Sequence, residues 1–201
     1  MSKSRLEAFS DGVFAIVITL LILDLKVPKV PYAQLLPAIL KTAPNFFSYV
    51  ISYLIVGLFW VIHHNMLSYL SKIDRAALWL NLIFLLCVGF IPYPTALMGE
   101  YPNTQIPVVI YGLTLIISNC VGLVLWLYAS SGYRLMRKEV PFALIKSITR
   151  NFVVAILIFC VGLACSYVSA SLTNTVYSLA AVYAVLLRPR YKKHLQKQMV
   201  E

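Results

Sequence analysis

Six long apolar runs, separated by polar or charged residues, set the pattern of this chain. They cover approximately Phe9–Val27, Pro44–His64, Ala76–Met98, Pro107–Tyr128, Phe152–Ser169 and Leu172–Leu187. A helix crosses a bilayer with about 20 predominantly apolar residues, within a range of roughly 17–25. Only helices and closed barrels satisfy their backbone groups inside lipid, and these runs lack the alternation of barrel strands. The pattern predicts an all-α integral membrane protein of six transmembrane helices, a single domain over 1–201 that ends in a basic tail, 188–201. The polar stretch around Ser171–Asn174 reads as a tight turn between the last two antiparallel helices. Pro92 and Pro94 read as the terminator of the third. The first run has a basic start, but Glu7 and Asp11 interrupt it and no small-residue cleavage site follows. It therefore reads as a membrane helix, not a signal peptide.

Composition agrees with this pattern and excludes a soluble domain. Hydrophobic residues make up 61% of the chain and charged residues 12%, against about 25% charged in soluble domains. The net charge of +10 would point to nucleic acid in a soluble protein. Here, fourteen of the 17 basic residues fall on one side of a six-span arrangement, with only Lys26, Lys29 and Lys41 on the other. By the positive-inside rule both termini, and the loops after the second and fourth helices, are cytoplasmic. The charge thus reads as a topology signal, and no nucleic-acid partner is expected. The tail is also placed to touch anionic lipid headgroups.

Candidate chemistry is sparse. Cys87, Cys120, Cys160 and Cys165 lie within apolar runs without paired spacing and read as small hydrophobes. His63 and His64 point about 100° apart on a helix and cannot both face one ion, so no metal site is expected. No serine sits in a nucleophile elbow and no glycine-rich phosphate loop occurs, which argues against an enzyme. No cofactor is implied. Ionisable or polar groups within spans are functional candidates, and they are few: Asp11 and Asp24 in the first helix, Trp60, His63 and His64 at the end of the second, Asn81 early in the third and Glu100 just after it.

The first helix is the most informative. With Ile16 as origin and about 100° per residue, Leu20 lies at about +40°, Leu23 at about −20°, Thr19 at about −60° and Phe9 at about +20°. Asp11 falls at about −140°, on the opposite side. Periodicity alone leaves open whether the apolar stripe faces lipid, a neighbouring helix or a pore. It also leaves Asp11 either a hydrogen-bond hub or part of an ion path.

The stretch Arg5–Leu25, RLEAFSDGVFAIVITLLILDL, resembles the first helix of the transmembrane protein 175 family of potassium channels. The family's Arg and Phe-Ser-Asp signature is matched by Arg5, Phe9, Ser10 and Asp11. A second block, Phe59–Asn65 with Asp74–Tyr101, is similar as well. The resemblance implies the bacterial form: one six-helix repeat in the cell membrane, assembled as a homotetramer around a pore lined by four first helices. It implies potassium as the permeant ion and no carbonyl filter. The constriction would lie at Ile16, with further rings at Leu20 and Leu23, and Thr19 would supply the pore hydroxyl. Arg5, Phe9, Ser10 and Asp11 would form a scaffold, and we expect Asp11 to bond to Trp60, His64 or Asn81. Asp24 would stand at the outer mouth, where a carboxylate attracts cations. The rival readings are a secondary transporter, against which no inverted repeat is visible, and a non-conducting membrane scaffold subunit.

Overall fold

The computed structural model describes residues 2–187; the basic tail, and the lipid contacts expected of it, lie outside the described residues. Every regular element among them is helical. The first run forms α1 (Lys3–Leu20), which tightens into a 3-10 turn over Leu21–Asp24. After a short α2 (Leu35–Lys41) come α3 (Ala43–Ser68), α4 (Arg75–Gly89), α5 (Pro92–Glu100) and α6 (Gln105–Ser130), then α7 (Phe142–Cys165) and α8 (Ala170–Leu187). Among the described residues five helical segments are long and apolar enough to cross a membrane: α1 with its turn, α3, α4 with α5, α6 and α7. The sixth run forms the 18-residue α8, which is not one of those five.

Three expectations shift for physical reasons. The third run is a broken helix rather than one that stops at its prolines. α4 ends at Gly89, and Pro92 opens α5, because proline lacks only the N–H that is orphaned at a helix start anyway. The fifth helix begins at Phe142, ten positions before Phe152, and takes Lys146 and Arg150 inside it. Leu144, Ile145, Ser147 and Phe152 form its buried stripe, and Thr149 accepts a hydrogen bond from the Trp126 indole at 3.2 Å. That inner face is helical even where the outer face is charged. The last reversal occupies positions 166–169, so Ser171–Asn174 belong to α8. Thr173 and Thr175 donate back to the carbonyls of Ser169 and Ser171 at 3.2 and 2.9 Å, which lets hydroxyl residues sit within a helix.

α6 is the hub of the bundle, packing against α4, α5, α7 and α8. Trp126, Tyr111 and Leu115 are fully enclosed there. Tyr177 of α8 closes onto Gly112 of α6 and Gly162 of α7, where any side chain would collide with its ring or hydroxyl. Small residues at such crossings let membrane helices approach closely.

At the end carrying the basic loops, Asp74 caps α4 by accepting from the Ala77 N–H at 2.9 Å. The same carboxylate accepts from the Tyr128 hydroxyl at 2.6 Å and lies 3.7 Å from the Arg134 guanidinium. The Ala77 bond, and then that of Tyr128, hold its carboxyl below the usual carboxylate range. The two loops also pair directly, Ser71 N–H donating to the Leu135 carbonyl and Arg137 N–H to that of Tyr69.

Candidate functional site

α1 packs against α3 and α4 only along one side. Leu6, Ser10, Phe14, Val17 and Leu21 recur at spacings of three and four and are all buried, as one face of a helix must be. The opposite stripe is bare in the single protomer. Phe9, Ile16, Leu20 and Leu23 are exposed, Ile16 to 59% and Leu23 to 68%. Thr19 lies on the same exposed side. Its hydroxyl folds back on α1, within 3.0 Å of the Ala15 carbonyl and 2.9 Å of the Ile16 carbonyl. Because its hydrogen is directed to the backbone, the oxygen lone pairs are what it offers outward.

The buried side carries a polar latch. Asn81 of α4 is enclosed and donates through Nδ2 to Ser10 Oγ at 3.1 Å. Its Oδ1 accepts from His63 Nε2 of α3 at 2.6 Å, which places the ring hydrogen on Nε2 because an amide oxygen can only accept. His63 Nδ1 has no partner among the described residues. The ring stacks on Phe84 at 5.4 Å between centroids and lies 5.5 Å from Phe14. One amide thereby ties α1, α3 and α4 together.

Asp11 stands at the edge of that latch, half-buried. It accepts from the Trp60 indole N–H at 2.8 Å, and Trp60 in turn packs on His64 at 5.8 Å. Of the three partners considered for Asp11, the structure brings Trp60 to it, sets His64 behind Trp60 and commits Asn81 to Ser10 and His63. Arg5 is exposed, and its side chain takes part in no hydrogen bond or ion pair among the described residues. Phe9 lies on the bare stripe and outside the latch. Asp24 is half-buried in the closing turn of α1, near the Lys26–Glu100 ion pair at 3.7 Å.

The sequence names both histidines but assigns only His64 to the network around Asp11, whereas the structure puts His63 in the latch. A signal for it exists: His63 continues the stripe Ser52, Ile55, Val56, Phe59, Met66 that α3 buries, whereas Trp60 and His64 are exposed on the flank of that stripe. A second polar cluster also went unread, in which Thr95 donates to Ser52 Oγ at 2.8 Å and Ser52 pairs with the Tyr111 hydroxyl at 2.9 Å. Among the described residues no three His, Cys, Asp or Glu side chains converge to hold a metal ion.

These features define a class: a helical membrane protein whose first helix keeps its polar anchors on one side and an uncovered apolar stripe on the other. The family described as endosomal/lysosomal potassium channel TMEM175 matches residues 5–92. A protein of Streptomyces collinus named as a potassium channel is 36% identical over 186 residues, 90% of each chain. The crystal structure of a lysosomal potassium-selective channel TMEM175 homolog from Chamaesiphon minutus superposes with a TM-score of 0.83 at 31% identity, over 92% of this chain and 96% of that one. The human protein named endosomal/lysosomal proton channel TMEM175 is 36% identical over 139 residues, 63% of this chain and 28% of its own length. The chain belongs to the TMEM175 family.

Proposed function

We propose that this protein is a potassium-conducting channel of the cell membrane, formed by four copies around a pore lined by α1. α8 serves as the sixth span, and both termini are cytoplasmic. The observation that carries the reading is the bare stripe of Ile16, Leu20 and Leu23 on a helix that is latched by polar bonds along its other side. The relatives named as potassium channels support it. Ile16 forms the narrowest ring, and Leu20 and Leu23 add apolar rings beyond it.

Such a ring closes by steric contact or by dewetting, since methyl groups offer an ion nothing in place of water. When the ring opens slightly, the ion sheds part of its shell. Potassium holds that shell less tightly than sodium and crosses at lower cost. The outward lone pairs of Thr19 return part of what is lost. Asp24 draws cations toward the outer end. The transporter reading gains little from the break between α4 and α5, because transporter sites use broken helices in matching positions of two repeats.

Purified protein in a planar bilayer under bi-ionic potassium/sodium conditions tests the proposal. Ile16→Asn should enlarge unitary currents several-fold by wetting the narrowest ring. Thr19→Ala should move the reversal potential toward zero. Absence of current from the unmodified protein in its assembled form would instead favour a scaffold.

A further inference from the structure

A cavity of about 450 Å³ lies between α3 and α7, roofed by α6 and α8. It falls within the size range of small-molecule sites, roughly 300–1,000 Å³. α3 and α7 scarcely touch, whereas α6 and α8 pack on α7 and α8 packs on α3. The gap is therefore a groove along two membrane-crossing helices. Its length is apolar: Ile55, Phe59 and Ile62 from α3 face Val154, Ala155 and Ile158 from α7. One end is polar, where Ser147, Arg150 and Asn151 line it, and Asn119 of α6 adds a polar side chain whose amide donates back to the Leu115 carbonyl at 2.9 Å.

Arg150 is the anomaly. It stands eight residues inside α7, two before the continuous apolar run that starts at Phe152. It is exposed and makes no ion pair among the described residues. No carboxylate of the described residues lines the cavity. At the edge of an apolar run a guanidinium sits at the height of the lipid headgroups, where an anionic partner is favourable. One turn toward the loop, Lys146 is exposed as well. A cationic, hydrogen-bonding mouth on an apolar groove has the chemistry of an amphiphile with an anionic head.

We propose that this groove is a binding site for an anionic phospholipid of the leaflet on the side of the basic loops. One acyl chain lies between α3 and α7, and the phosphodiester meets Arg150. A guanidinium suits that role because its planar fork bonds two phosphate oxygens at once. Asn151 and Ser147 supply neutral hydrogen-bonding groups beside it. The site lies on other helices than the α1 stripe and does not depend on the conduction proposal.

The test is native mass spectrometry of the protein released from vesicles of equal parts phosphatidylglycerol and phosphatidylcholine. The expected result is retained phosphatidylglycerol in preference to phosphatidylcholine, with that preference reduced about tenfold by Arg150→Gln, a loss in line with one charge-assisted bond. Ala155→Trp, which fills the groove, should lower retention of both lipids. Arg137→Gln, a substitution of an exposed loop cation, should leave the preference intact. Equal retention of the two lipids, or an unchanged preference in Arg150→Gln, would overturn the proposal. So would a change in the number of copies in the assembly on Ala155→Trp with lipid retention unaltered, because a second copy would then be the occupant.

Discussion

The two sides of α1 and its closing turn are built from one stretch, Lys3–Asp24, and obey different rules. The inward side alternates close apolar packing with hydrogen bonds that span three helices: Phe14 is 1% exposed, Leu21 is 0% exposed, and Ser10 is tied through Asn81 to His63. The outward side has large apolar side chains and one hydroxyl, Thr19, that is folded onto its own helix. An inward residue is constrained by what already touches it. An outward residue is constrained only by what the assembled protein places opposite it. The contrast shows where a single protomer ends as an explanation: its fold accounts for Phe14 and Asn81 but not for Ile16 or Leu20.

Substitution separates the two sides most sharply at Phe14. Phe14→Ala opens a void between α1, α3 and α4, against His63 and Phe84. At about 24 cal/mol per Å³ of cavity, the loss should reach about 2 kcal/mol. Unfolding in mixed micelles of increasing SDS content would measure it. A loss no larger than that of an outward substitution would erase the distinction drawn here. Asn81→Ala comes next. It strands Ser10 Oγ and His63 Nε2 together, and two interhelical bonds within a membrane bundle sum to about 1–2 kcal/mol. A double-mutant cycle with Ser10→Ala should return positive coupling of a few tenths of a kcal/mol or more. Strict additivity would mean that the Ser10–Asn81 bond at 3.1 Å contributes nothing to holding α1.

How much of this was legible beforehand depended on whether one helix or several had to be placed. Five of the six apolar runs fall on segments long and apolar enough to cross a membrane, because length and hydropathy are properties of one segment. The inward and outward sides of α1 could be separated for the same reason: Ile16, Leu20 and Leu23 share a direction that Asp11 does not, whatever α1 packs against. Which histidine turns inward could not be read that way, since neighbours on a helix differ by about 100° and the answer depends on the rotation of α3. The structure gives His63 to Asn81 and leaves His64 against Trp60. Similarly, the start of α7 was hidden because Lys146 and Arg150 break the apolar run on its outer face. The inner face, with Leu144, Ile145 and Ser147, is already buried at that level. Hydropathy averages over a helix's circumference, whereas packing acts on one side of it.

The smallest effect on protomer stability is expected on the outward side, and its smallness is the point. Leu20→Ala removes a side chain that is 43% exposed and stands on the uncovered stripe. The change should shift SDS-driven unfolding of the dispersed protomer by no more than about 0.5 kcal/mol, as for substitutions away from packed features. If four copies share an apolar ring at Leu20, as proposed, the same variant should widen it and raise the unitary current. A protomer destabilised as strongly as by Phe14→Ala would place Leu20 inside the fold and break the contrast between the two sides. An unchanged protomer with an altered current would show that the outward side is read by the assembly alone. A single protomer cannot display that role, because in the proposed four-copy pore the partner surface of Leu20 is a second copy of itself.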